Sequence, residues 1–341
     1  MRLIFVGFGT VGRGAAECLL AARAQLAASG LAPRLVAVID PAVGSALCAD
    51  GLDEAELLRL ADAGISLAEH EGAETIDGLA DVLERNAADV LVELTPTNLQ
   101  TGQPGLDHVR AAIEAGLHVV TTNKGPIALA YHELAAEARA AGVQLRYEGT
   151  VMSGTPVLSL CEAGLAGAGI RAIRGVLNGT CNFILTQMEQ GVDYTDALVD
   201  AQQKGYAEAD PSGDVDGWDA AAKALILANC VLGAELGIDD VQRTGIAGLS
   251  RADIETATAE GNTWRLVARI EAEDASYRAA VAPELVRRTD PLGALTGPRN
   301  LLAFDTESLG EVVISGPGAG RRATGHAIVA DLLALHRRGA V

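Results

Sequence analysis

Lysine is nearly missing from this chain. Of 26 basic residues only Lys124, Lys204 and Lys223 are lysines, so arginine is used wherever positive charge alone is needed. A lysine kept against that bias is a candidate for chemistry arginine cannot do, because a buried ammonium can lose its proton and a guanidinium in effect cannot. Positive charge is also outnumbered: the formal net charge is −19, which argues against nucleic acid and anionic membrane surfaces, both of which select basic patches. The five cysteines are scattered without a CxxC spacing, as expected for reduced thiols in a reducing compartment. The six histidines do not cluster with them, so no zinc site is legible. No run approaches the ~18 uncharged apolar residues that span a bilayer. Residues 1–6 begin like a signal peptide, but glycines at 7, 9, 12 and 14 interrupt them before any export-type block, and a cytoplasmic location is expected. There is no internal repeat and no low-complexity linker.

What is present suits a globular chain of two domains. At 341 residues, with 49% hydrophobic and 21% charged residues, there is material for two cores. Residues 2–6 read as a buried strand, followed by Gly7-Phe8-Gly9-Thr10-Val11-Gly12 and a helix to about residue 28. Strand, GxGxxG and helix together form a dinucleotide fingerprint: Gly7 allows the tight turn, Gly9 lets backbone approach a pyrophosphate, and Gly12 lets helix pack on strand. The phosphates would face the helix N–H groups at Thr10 and Val11. A second strand, Leu35–Ile39, ends in Asp40, an acid placed to accept from an adenosine ribose diol and to repel a 2′-phosphate. Pro41-Ala42-Val43 offers no arginine for that phosphate, so NAD is expected in preference to NADP.

Strands at 90–94 and 118–121, a helix at 106–115 and an amphipathic helix at 127–141 continue a βαβ alternation. A right-handed, doubly wound parallel sheet is therefore expected. The turns after these strands carry Thr95 and Lys124, where such sheets bind ligands. His118, at a strand start, reads as structural. Past a further strand at 144–147 the rhythm changes. Strands at 170–177, 262–282 and 299–315 suggest a mixed or antiparallel sheet, with a helix capped by Asn178 beginning near Phe183. Gly316-Pro317-Gly318-Ala319-Gly320 introduces a last helix from Arg321 to about His336, which is expected to return to the cofactor domain. The division is thus 1–130 with 316–341 for dinucleotide binding, and 131–315 for an α+β substrate and dimerisation domain.

The most unusual stretch is 205–223, which sets five carboxylates in twelve residues (Glu208, Asp210, Asp214, Asp216, Asp219) before an Ala-rich helix. Asp219 and Lys223, four apart, share a helix face. A solvated pair of that kind is worth only ~0.2–0.5 kcal/mol. Ser212-x-Asp214-x-Asp216-Gly217 imitates a calcium loop, but Lys223 occupies the twelfth position, where a bidentate Glu is required. Asp210, Asp214 and Asp216 read as loop and capping residues.

These motifs, GFGTVG at 7–12, TNKGP at 122–126, LNGTCNF at 177–183, GYAEADPSGDVDGWDAAAK at 205–223 and GPGAG at 316–320, lie in order across nearly the whole chain. The chain resembles the homoserine dehydrogenases. The resemblance implies interconversion of L-homoserine and L-aspartate 4-semialdehyde with NAD or NADP in amino-acid biosynthesis, by a homodimer. It implies Lys223 as the acid/base, homoserine bound around Gly205, Glu208 and Asp219, and Lys124 at the junction of cofactor and substrate. Gly318 joins the cofactor residues by the same implication. A monovalent cation, Na+ or K+, is implied near Glu148, Val151, Ser153 and Thr155, although the usual glycines of that turn are replaced here by Val-Met-Ser-Gly-Thr. Cys181 replaces a usual threonine. The chain ends soon after the last helix, so neither a regulatory domain nor a fused aspartate kinase is expected.

Alcohol oxidation needs an acceptor for the hydroxyl proton as hydride leaves, and a neutral lysine amine would serve. Lys223 is the candidate; Lys124 is the alternative, or a partner whose charge tunes it. Two other readings stay open: another NAD-dependent amino-acid dehydrogenase of the same plan, and a non-catalytic NAD-sensing protein. The latter has no reason to keep Glu208, Asp219 and Lys223 together.

Overall fold

A computed structural model of the chain describes residues 1–273 and 276–340. It divides into two compact units, Met1–Gly154 with the residues from Gly320 onward, and Thr155–Ala319. The first unit contains β1 (Arg2–Val6), α1 (Thr10–Ala28), β2 (Arg34–Ile39), β3 (Ala46–Leu47), α2 (Glu54–Asp62), α3 (Leu79–Glu84), β4 (Val90–Glu93), α4 (Gly105–Glu114), β5 (His118–Thr121), α5 (Lys124–Ala141) and β6 (Leu145–Arg146). The C-terminal helix (Arg321–Arg337) completes it.

Its sheet has the order β3-β2-β1-β4-β5-β6. Strands buried on both faces need continuous apolar runs, and Leu3–Val6 and Val90–Val92 supply them. The order reverses between β1 and β4, the place where doubly wound sheets bind ligands. One expectation needs correcting, since the sheet is not wholly parallel: β3 pairs antiparallel with β2. Only residues 40–45 separate the two strands, too few for the crossover a parallel return requires.

The C-terminal helix lies on α1 at very close approach. A Cβ on Gly14 would stand 2.0 Å from the Arg321 carbonyl oxygen, and one on Gly325 would stand 2.3 Å from that of Gly14. Glycine at both positions lets Ile328, Leu332 and Leu335 reach the core around Phe5, Leu19 and Leu26.

The second unit contains α6 (Val157–Ser159), β7 (Ile170–Val176), α7 (Gly179–Glu189), α8 (Tyr194–Gln203), α9 (Ser212–Val215), α10 (Trp218–Val231), β8 (Gln242–Arg243), α11 (Arg251–Ala259), β9 (Asn262–Glu273), β10 (Ser276–Arg287), β11 (Arg299–Thr306) and β12 (Gly310–Pro317). Its sheet runs β12-β11-β7-β9-β10-β8. It is mixed, as expected, because β8 joins β10 in parallel while the other pairs are antiparallel. The strand expected at 262–282 resolves into β9 and β10; Asp274 and Ala275, which it included, lie outside the described residues. Helix α10 packs on β9 and β10, with every residue from Ala220 to Asn229 buried, which suits its Ala-rich and almost uniformly apolar sequence.

The units differ from the division at 130/131 and 315/316. Strand β6 pairs with β5 and α5 packs on α4, which keeps residues 131–154 with the first sheet. Strand β12 pairs through Pro317 with Arg299, which keeps 316–319 with the second; Val341 is not among the described residues. Among those residues no helix is long and apolar enough to cross a membrane.

Candidate active site

In the first unit the chain leaves β1 at Gly7, whose φ of +103° favours glycine. A Cβ there would lie 2.8 Å from the Leu94 carbonyl oxygen, and one on Gly12 would lie 2.5 Å from that of Gly7. Gly9 is different, because nothing stands within 4 Å of its Cβ position. It is also the N-cap of α1, without a side-chain cap, and no acid occupies the helix's first turn. The first-turn N–H groups at Thr10 and Val11 have no acceptor within the helix, and among the described residues no side chain caps them, an arrangement that fits a pyrophosphate.

Asp40 locks this turn. Its Oδ2 accepts from the Phe8 N–H at 2.6 Å, and Oδ1 accepts from Ala42 and Val43 at 2.8 and 3.2 Å. The acid at the end of β2 thus ties the glycine turn to the β2–β3 turn, with one acceptor position still open on Oδ2.

The turns after β4 and β5 are organised by a residue the sequence did not single out. Glu93 is 0% exposed. Its Oε1 accepts from the Thr95 N–H at 3.1 Å and from the Thr95 hydroxyl, its Oε2 lies 3.4 Å from the Thr121 hydroxyl, and His108 Nδ1 stands 3.5 Å from Oε1. Asn123 donates to Thr95 Oγ1 and caps α5 by accepting from the Gly125 N–H. Lys124 is therefore the first residue of α5, earlier than the helix start expected at 127. The only sequence signal for Glu93 was a charge closing an apolar strand.

Around the expected cation turn, Glu148, Val151 and Ser153 are buried. Met152 and Ser153 hold φ of 56° and 55°, left-handed values that explain why glycine would suit these positions. The Glu148 N–H donates to Asp331 Oδ2 at 2.9 Å, and Arg146 Nε approaches Asp331 Oδ1 at 3.3 Å. Burial pushes the Asp331 carboxyl up to about 7, with the Arg146 charge pulling the other way. In the second unit, Thr155 Oγ1 donates to the Pro317 carbonyl at 3.0 Å, and Gly318 backs directly onto the Asn300 side chain. Among the described residues no group of three or more His, Cys, Asp or Glu is arranged to hold a metal.

The second unit gathers the charged cluster at the start of α10. Gly217, with φ +85°, turns the chain into the helix, and the Arg243 guanidinium lies 3.6 Å over the Trp218 ring beside it. Lys223 is 6% exposed, and its Nζ donates to Asp219 Oδ2 at 2.7 Å and to the Leu177 carbonyl at 2.8 Å. That uses two of its three donors. Asn178 accepts from the Cys181 N–H at 2.8 Å and donates to Asp214 Oδ1 at 2.6 Å and to Asp219 Oδ2 at 3.0 Å.

Two expectations change here. The helix capped by Asn178 begins at Gly179 rather than near Phe183. Asp214 is not a loop acid but a member of the lysine cluster, its carboxyl pushed up by burial and by Asp219 while Asn178 and Lys223 pull it down. Gly205 has φ +72° with open space beyond it. Glu208 is exposed, and its carbonyl accepts from Gln202 Nε2 at 3.0 Å. Asp210 and Asp216 stay in the turns expected of them.

A Rossmann-ordered sheet with an open glycine turn, followed by a mixed-sheet unit with a buried lysine–carboxylate cluster, marks a dinucleotide-dependent oxidoreductase of two units. The homoserine dehydrogenase NAD-binding domain profile matches residues 7–148, and the homoserine dehydrogenase profile matches 156–333. An NAD(+)-dependent homoserine dehydrogenase of Pseudomonas canavaninivorans is 43% identical over 98% of this chain and 96% of its own. A homoserine dehydrogenase of Methanocaldococcus jannaschii is 38% identical over 98% of each. Among solved structures, a putative homoserine dehydrogenase of Archaeoglobus fulgidus superposes with a TM-score of 0.88 at 36% identity, over 98% of this chain and 99% of that one. A hyperthermophilic archaeal homoserine dehydrogenase in complex with NADPH gives 0.84 at 28% identity, over 99% and 98%. The chain belongs to the homoserine dehydrogenase family.

Proposed function

We propose that this protein interconverts L-homoserine and L-aspartate 4-semialdehyde with a nicotinamide dinucleotide, and that Lys223 carries the proton. One observation carries the reading: a buried lysine, in a chain that almost always uses arginine, is held by a carboxylate and a carbonyl with one donor left over. When bound, the nicotinamide takes hydride from the carbinol carbon or returns it. On oxidation the substrate O–H bond breaks, its electrons form the second C–O bond, and the proton passes to the neutral amine of Lys223. On reduction the ammonium gives that proton back to the aldehyde oxygen. Asp219 orients Lys223 and, with Glu208 near Gly205, offers negative charge to the substrate ammonium. Lys124, at the start of α5, adds positive charge as substrate partner or as the alternative acid.

The cofactor half of the reaction uses Gly7, Gly9 and Gly12 for close approach, Thr10 and Val11 N–H groups for the pyrophosphate, and Thr95, Lys124 and Gly318. Asp40 keeps one acceptor position for a ribose hydroxyl, and no arginine follows it, which supports NAD over NADP. We also assign main-chain carbonyls of the 148–155 turn to a monovalent cation, and read the protein as a cytoplasmic homodimer. Reduction of NAD and NADP with homoserine, set against other hydroxy and amino acids, tests the reading. Turnover selective for homoserine with NAD is expected. A better substrate of another class would make it a different amino-acid dehydrogenase, and no turnover with any of them would favour a sensor.

A further inference from the structure

Asn178 stands where β7 gives way to α7, is 2% exposed, and its two amide ends do different work. Oδ1 accepts from the Cys181 N–H and caps α7. A cap needs only an acceptor, and serine or aspartate would serve as well as asparagine. Capping therefore leaves the amino group unexplained, and that group donates to Asp214 Oδ1 and to Asp219 Oδ2. The same Asp219 oxygen accepts from Lys223 Nζ at 2.7 Å, while the carbonyl of the preceding residue, Leu177, accepts from Nζ at 2.8 Å. Two consecutive residues of one turn thus hold the ammonium directly and its counter-ion through the amide.

We infer that Asn178 is a positioning residue for the reaction, its amino group fixing Asp219 against Lys223 and separating Asp219 from Asp214. The inference rests on Lys223 as the proton carrier. Two carboxylates facing each other without a donor would repel or share a proton, and either outcome would release Asp219 from its hold on Lys223. The titratable groups around the cluster are Asp219 on α10, Asp214 on α9, Asp216 on the turn after α9, and Cys181 on α7, with Tyr194 of α8 beyond Cys181.

Two variants separate capping from positioning. Asn178→Ser keeps a cap acceptor but is too short to reach Asp219, and Asn178→Asp keeps the acceptor and replaces the donor with a negative charge. Melting temperature, cofactor KM and the pH profile of kcat are measured on the full chain, with Lys223→Ala in parallel. Asn178→Ser is expected to stay folded with only a modest fall in melting temperature, keep its cofactor KM and lose at least ~10-fold in kcat. Asn178→Asp is expected to shift its oxidation profile to higher pH by ~1 unit, because added negative charge favours the protonated amine. Wild-type kcat and pH profile in both variants would overturn the inference, as would unfolding of both, which would make the amino group a structural tie. If Lys223→Ala also turned over normally, the reading of the site would have failed; an inactive Lys223→Ala beside two normal Asn178 variants would sink this inference alone.

Discussion

Asp331 allows a prediction whose size comes from its surroundings. Its side chain lies on the C-terminal helix, buried, accepting from the Glu148 N–H and close to Arg146. Burial raises its carboxyl from an ordinary 3.8 to about 7, against the pull of Arg146. A group whose folded value lies above its unfolded value holds its proton more tightly in the folded chain. Its stabilising contribution is therefore complete below the unfolded value and is lost as pH rises through the folded one. Each pH unit between the two values changes stability by ~1.4 kcal/mol, so up to ~4 kcal/mol disappears between mildly acid and neutral pH. Asp331→Asn keeps the shape without a titrating carboxyl. The advantage of wild type over this variant should shrink steadily as pH is raised across that window. Thermal unfolding of both proteins over a pH series, with stability differences taken at matched pH, measures it. Parallel curves would refute the raised carboxyl, and an advantage growing with pH would show that Arg146 outweighs burial.

Two further outcomes follow from the site geometry. Gly9→Ala places its methyl where nothing lies within 4 Å, so melting should stay at the wild-type temperature while the KM for NAD rises by at least ~10-fold; an unchanged KM would mean that no pyrophosphate approaches this turn. Glu208→Ala, at an exposed loop position, should raise the KM for homoserine with little change in kcat. Steady-state kinetics showing an unmoved KM would remove Glu208 from ammonium binding.

The fold was legible wherever local pattern and tertiary role coincide. Residues 2–6 and the glycines after them could be read because a tight turn, a close phosphate and a helix start each restrict residue type in a short window. Strand character at 170–177 and 262–282 and the Ala-rich helix that became α10 were legible as elements, but the division of 262–282 into β9 and β10 was not. The antiparallel β3 was missed because two residues carry no periodicity. Glu93 was missed because its importance lies in full burial and in partners such as Thr121 and His108, which come from other elements distant in sequence. Asp214 was misread for a related reason: an Asp in a turn looks like a cap, and only the return of Asn178 from another element makes it part of a charged cluster. Lys223 stood out as a candidate because the scarcity of lysine points to it before any fold is known. The Asp219–Lys223 spacing gave the pair, while the depth of its burial needed the packing of α10 on β9 and β10.

The central claim is that Lys223 moves the proton, and one measurement tests it most directly. The kcat for homoserine-dependent reduction of NAD is compared between wild type and Lys223→Ala, with NAD affinity determined separately for both. A fall of at least ~100-fold in kcat with cofactor binding retained is the predicted result. Wild-type-like turnover in the variant would contradict the account.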